Sequence, residues 1–139
     1  MFQLSGKTAL ITGASGGIGS AIAKNLSQQG AHVVLHGTRA GRLEELASEI
    51  GSNVSVVTAN LSDRAAVGSL VAEAAKATGA IDILVNNAGI TRDNLFMRMK
   101  DEEWDDVLEV NLTSSMLLCR SAIRAMMKAR WGRIISISS

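Results

Sequence analysis

No proline and no tyrosine occur among the 139 residues, and only one cysteine does. Average usage of about 5% would place roughly seven prolines in a chain of this length, so their absence is informative. Cys119 has no partner for a disulfide within the chain, which fits a reducing, cytoplasmic compartment. It and the two histidines, His32 and His36, form no Cys/His cluster at metal-ligand spacing, so no metal site is expected. An excess of one charge is also lacking. Fourteen Lys and Arg stand against 13 Asp and Glu, a net charge of +1, which excludes a nucleic-acid-binding tail. No apolar run approaches about 18 residues, and Met1–Lys7 lacks the basic-then-apolar pattern of a signal peptide, so membrane and secretory readings fall away.

What is present suits a globular domain: 47% of the residues are apolar and 19% charged. A single domain of this size buries roughly 68 to 70% of the surface of its unfolded chain, enough for a core without disulfides or metal. Short β-branched runs alternate with segments of helical period. The expected strands are Thr8–Thr12, His32–His36, Val54–Thr58, Ile81–Val85 and Arg133–Ile137, mostly apolar on both faces as in a parallel sheet. Between them Ile18, Ile22 and Leu26 keep helical spacing, as do Leu43, Leu46 and Ile50, and then Val67, Leu70, Val71 and Ala74. A longer helix is expected over Asp101–Arg130, with Ser62 and Asp101 as N-caps of the third and fourth helices. Right-handed crossovers convert this pattern into a doubly wound, Rossmann-type α/β fold of strand order 3-2-1-4-5.

The first strand runs into Thr12-Gly13-Ala14-Ser15-Gly16-Gly17-Ile18-Gly19, where the first helix begins. Glycine permits positive φ and close approach of the backbone to a ligand, and a helix N-terminus offers unpaired N–H groups to a pyrophosphate. Strand, glycines and helix fall in the order that dinucleotide binding requires. The spacing is T-G-x-x-x-G-x-G and not G-x-G-x-x-G.

That turn, with Asn86-Asn87-Ala88-Gly89 at the end of the fourth strand, resembles the two N-terminal signatures of the short-chain dehydrogenase/reductase family. Ile90-Thr91-Arg92-Asp93-Asn94-Leu95, Met97–Lys100, Met126-Met127-Lys128 and Gly132–Ile135 resemble its 3-oxoacyl-[acyl-carrier-protein] reductases. The resemblance spans all 139 residues. Family chains continue through a Tyr-x-x-x-Lys motif and two further strands, so residues 1–139 read as the N-terminal, NADP-binding part of a single-domain reductase. The absent tyrosine and prolines agree, since relatives carry them in the second half. As it stands the chain is therefore expected not to complete a catalytic site.

The resemblance implies cofactor contacts from Gly13, Ser15, Gly16, Gly17, Ile18 and Gly19, from Asn60 and Leu61 after the third strand, and from Asn87, Ala88 and Gly89. An acid at the end of the second strand would bind ribose hydroxyls and repel a 2′-phosphate. Gly37-Thr38-Arg39 offers none, so Thr38 and Arg39 favour NADP(H), unless Arg39 is an ordinary solvated residue at a helix start. Relatives often carry a second phosphate-binding Arg where Gly16 stands. His32 and His36 share a strand face and read as packing or edge residues rather than catalysts.

Of the family's catalytic Asn, Ser, Tyr and Lys, the first two match Asn111 and Ser139. Asn111, on the long helix, would hold a water of the proton relay or else bond a neighbouring backbone group. Ser139 would orient the carbonyl. Five bases between Met116 and Arg133, Arg130 among them, suit docking of an acidic acyl carrier protein. They equally suit the helix dipole, since acids crowd the helix start. Surplus apolar residues on this helix point to a homo-oligomer, a tetramer by resemblance. The expected function is NADPH-dependent reduction of a carrier-bound 3-oxoacyl thioester in fatty-acid synthesis. A reductase of acetoacetyl-CoA, a sugar or a polyol remains open, as does a nucleotide-binding module without catalysis.

Overall fold

Alternation of side chains along a strand decides which layer each residue enters. In β2 (His32–Gly37), Val33 and Leu35 join one apolar layer, while Val34 joins the opposite one. The same division in β1 (Thr8–Ile11) sends Ile11 one way and Leu10 the other, so the sheet needs cover on both sides. The computed structural model describes residues 3–90 and 94–138. Helices α1 (Gly17–Gln28) and α2 (Ala40–Ile50) cover one face through Ala23, Leu43 and Leu46. The other face is covered by α3 (Arg64–Ala75) and α5 (Ser114–Ala129) through Leu70, Leu118 and Met126.

With β3 (Val54–Thr58), β4 (Ile83–Asn86) and β5 (Arg133–Ser136), the strands form one parallel sheet of order β3-β2-β1-β4-β5. This is the expected doubly wound arrangement, and its order reverses between β1 and β4. Loops leaving those two strands diverge to opposite faces and open a crevice at their carboxyl ends. β5 is exposed along its length, with Ile134 and Ile135, and Ile137 just beyond it, each at least 39% accessible. Among the described residues no helix is long and apolar enough to cross a membrane.

Four local expectations need correction. Asp63, not Ser62, caps α3, its carboxylate accepting the N–H groups of Ala65 (3.0 Å) and Ala66 (3.4 Å). The Asn60 side chain takes the Ser62 N–H first (2.9 Å), and that local turn advances the cap by one residue. Asp101 is the first residue of α4 (Asp101–Leu108) rather than its cap. The N-cap is Lys100, whose N–H donates to the Glu103 carboxylate at 3.4 Å. Asp101, Glu102 and Glu103 thus lie within the first turn, where the helix dipole favours acids. The long helix is also not uniformly α-helical: Glu109–Thr113 forms a π turn between α4 and α5. β4 starts two residues later than expected, at Ile83, and Asp82 before it is tied to β1 by both its carboxylate, which accepts the Thr8 N–H at 2.9 Å, and its own N–H, which donates to the Thr8 carbonyl at 2.9 Å.

Candidate functional site

Thr12, just past β1, ties the two sides of the crevice together. Its hydroxyl donates to the Val85 carbonyl (3.3 Å) and accepts the N–H groups of Asn87 and Ala88 (3.0 Å each). Asn87 returns the connection, its amide Nδ2 donating to the Thr12 and Gly13 carbonyls at 3.2 Å each. The β1–α1 turn and the Asn-Asn-Ala-Gly segment are therefore one hydrogen-bonded unit, although more than 70 residues separate them in sequence.

The four glycines of the turn do different work. Gly13 has φ +62°, and a Cβ there would lie 2.8 Å from the Ala88 Cα. A Cβ on Gly19 would collide with the Gly13 carbonyl and come within 2.7 Å of Asn87 Nδ2. Packing within the protein accounts for those two. A Cβ on Gly17 would meet nothing within 4 Å, and one on Gly16 only the Gly13 oxygen at 3.7 Å. These two face a cavity with no such neighbour behind them, and Gly16 caps α1 without any side-chain bond to the helix amides. An unpaired helix N-terminus behind bare backbone is a fit for a pyrophosphate.

The cavity has a volume of about 650 Å³ and sits in the β1/β4 crevice. Gly13 and residues 15–19 form its floor, Thr38 lies at the end of β2, and Asn60 and Leu61 form the β3 side. Asn87, Ala88 and Gly89 close the remaining wall. Twelve of the sequence-derived cofactor residues thus share one cavity. Arg39 does not line it. This exposed residue is the N-cap of α2, adjoining Thr38, and no acid occupies the first turn of that helix.

Asn111 lies in the π turn and is exposed. Its carboxamide is bonded to the backbone of Ile90, whose side of the cavity follows Gly89. Val110, from the same turn, also reaches the cavity. A bidentate pair, Arg64 Nε and Nη2 on the two Glu109 oxygens at 2.7 and 3.1 Å, joins this turn to the start of α3. The Arg64 hydrogen bond holds the Glu109 carboxyl below the usual Glu range. Ser139 lies outside the described residues.

Residue-by-residue reading of the sequence missed His36 as a cavity residue. It is buried, and its ring Nδ1 accepts the Gly13 N–H (3.2 Å) while Nε2 bonds the Ala59 carbonyl (2.9 Å). A carbonyl only accepts, so Nε2 carries the proton and the ring is neutral. Burial lowers its pKa, with the Ala59 bond opposing. The available signal was its place as the last side chain before the strand-ending glycine. His32 sits at the other end of β2, bonded to the Ser55 hydroxyl at 2.8 Å.

Comparison with known proteins agrees with this geometry. Over 139 residues the chain is 56% identical to Nodulation protein G of Rhizobium sp. (strain N33), covering 57% of that protein. It is 49% identical over 134 residues to the 3-oxoacyl-[acyl-carrier-protein] reductase FabG of Escherichia coli (strain K12), covering 55% of it. The chain spans a little over half the length of these relatives. The structure of a metagenomic short-chain oxidoreductase in complex with NADP superposes with a TM-score of 0.93 at 40% identity, covering 98% of this chain and 63% of that one. A model of the short chain dehydrogenases matches residues 7–139, the whole sheet and both signature segments, and the chain belongs to that family.

Proposed function

We propose that residues 1–139 form the cofactor-binding part of a cytoplasmic reductase that converts 3-oxoacyl thioesters on acyl carrier protein to 3-hydroxyacyl thioesters with NADPH. The observation that carries this reading is the glycine turn facing an open cavity beside a β2 that ends in Gly37-Thr38-Arg39 with no acid. Cations at a helix start oppose the helix dipole, and Arg39 and Arg42 stand at the start of α2 with no acid in its first turn. A 2′-phosphate would relieve that imbalance. Its contact with Arg39 is charge-assisted and Thr38 adds a hydroxyl donor.

When bound, NADPH supplies the hydride that reduces the ketone carbon. The chain's own residues bind and orient. The amides of the Gly16–Gly19 turn hold the pyrophosphate, Asn60 and Leu61 bracket the adenine, and Asn87, Ala88 and Gly89 bound the path toward the nicotinamide. Asn111 holds a water that passes the proton taken up by the carbonyl oxygen, and Ser139 orients that carbonyl. Trp104, Leu108, Leu112 and Met116 recur every four residues along α4, the π turn and the start of α5, and each is at least 38% exposed. That stripe, continued by Ile123 and Met127, supports pairing with a second copy in a homo-oligomer such as a tetramer.

A second reading keeps the hydride chemistry and changes the substrate. It is favoured by the higher identity to Nodulation protein G, a name that specifies no substrate. The two are separated by following nicotinamide absorbance with the product of the whole gene, using acetoacetyl groups on carrier protein and on CoA, and sugar or polyol substrates. Turnover of the thioesters with NADPH, fastest on the carrier, is the expected result. Turnover confined to sugars or polyols sinks the thioester assignment.

A further inference from the structure

His36 is 1% exposed, and no step of the proposed reaction uses it. Its ring stands between two walls of the cavity: Nδ1 takes the Gly13 N–H of the glycine turn, and Nε2–H bonds the Ala59 carbonyl just before Asn60. Its backbone carbonyl also accepts the Ala14 N–H at 2.8 Å. Among the described residues lining the cavity, it is the one ionisable side chain.

We infer that His36 is a positioning residue for the nucleotide, its neutral ring clamping the phosphate-binding turn to the wall that carries Asn60 and Leu61. This inference rests on reading the cavity as a dinucleotide site. A ring between a donor and an acceptor satisfies both only in the Nε2–H tautomer. A second proton would set Nδ1–H against Gly13 N–H and release the turn.

The charged surroundings do not compensate for that proton. The flanking strands β1 and β3 contain no ionisable side chain, and neither do the turn 12–19 nor residues 59–62. On the same side of the sheet, α3 carries Arg64 and Glu73, and α5 carries Arg120, Arg124 and Lys128, all exposed. Asp63 is engaged as the α3 cap, Glu109 is bonded to Arg64, and Arg39 lies beyond Thr38. Nucleotide affinity should therefore be constant at high pH and fall as the ring gains its proton, below the usual His value of about 6.5. Burial moves that fall further down the pH scale.

The test is the Kd of NADPH and of NADH from pH 8 to pH 5, measured on the product of the whole gene for wild type, His36→Asn and His36→Leu. The Asn oxygen takes the place of Nδ1 toward Gly13 without titrating, while Leu makes neither bond. Wild type should lose about 3- to 10-fold more affinity than His36→Asn between pH 8 and pH 5, and His36→Leu should bind about 3- to 10-fold more weakly throughout. The 2′-phosphate of NADPH also titrates near pH 6, but equally in all three proteins, and NADH lacks it. Parallel profiles for wild type and His36→Asn, or tighter wild-type binding in acid, overturn the inference while leaving the dinucleotide site standing. Absence of saturable binding of either nucleotide to wild type at pH 8 overturns the site itself. Should His36→Leu fail to fold, the comparison of wild type with His36→Asn decides alone.

Discussion

Asn111 grips Ile90 with both ends of its carboxamide: Oδ1 accepts the Ile90 N–H at 2.7 Å, and Nδ2 donates to the Ile90 carbonyl at 2.9 Å. The π turn makes this possible. One extra residue in a turn rotates the downstream helix by about 100° relative to an uninterrupted α-helix, so Asn111 faces the segment after Gly89 while α5 still packs on the sheet. Asn111→Ala should cost about 0.5 to 1.5 kcal/mol in urea unfolding, small because the bonds are exposed. In the whole enzyme it should also lower kcat by at least roughly tenfold while leaving the KM for NADPH within about twofold. Wild-type kcat would remove Asn111 from the proton path.

The glycines separate folding from binding. Gly13→Val places a β-branched residue at φ +62° against Ala88, so both nucleotide affinity and Tm should drop sharply. Gly17→Ala meets open space within the protein, so Tm should hold or rise slightly, while NADPH affinity measured by calorimetry falls. A variant Gly17→Ala that binds NADPH like wild type would show that the pyrophosphate does not approach that backbone.

Arg39 adjoins the cavity without lining it, so its contribution should appear in selectivity alone. Wild type should prefer NADPH over NADH by roughly 10- to 100-fold in kcat/KM, from a phosphate contact of about 1.5 to 3 kcal/mol. Arg39→Ala should remove most of that preference and leave Tm unchanged. An unaltered ratio in the variant would assign the phosphate elsewhere.

Arg130 ends α5 in a left-handed conformation, φ 55°, which turns the chain toward β5. Its charge is separable from that conformation. Arg130→Glu should raise KM for a carrier-bound substrate several-fold and leave a short CoA thioester nearly unaffected. Equal effects on both substrates would favour the helix-dipole role of the basic residues.

Local information carried the architecture. Runs such as His32–Gly37 and the helical spacing of Leu43 and Leu46 state their own period, and Thr12–Gly19 announces a strand, a glycine turn and a helix within a few neighbouring residues. The parallel order and the grouping of Thr38, Asn60 and Asn87 around one cavity arise from that pattern by topology. The amino-acid sequence thus determined the layers, the crevice and most of its lining. Only the tertiary structure decided why each residue is needed. Gly19 is small because Asn87 and the Gly13 carbonyl press against it, and His36 enters the site through bonds to Gly13 and Ala59, each 23 residues away. The Asp63 cap and the π turn likewise depend on small differences in competing hydrogen bonds, which helical period leaves undetermined. Patterning selects a fold because burial is summed over many residues. Single contacts between distant residues are settled by where packing brings their atoms.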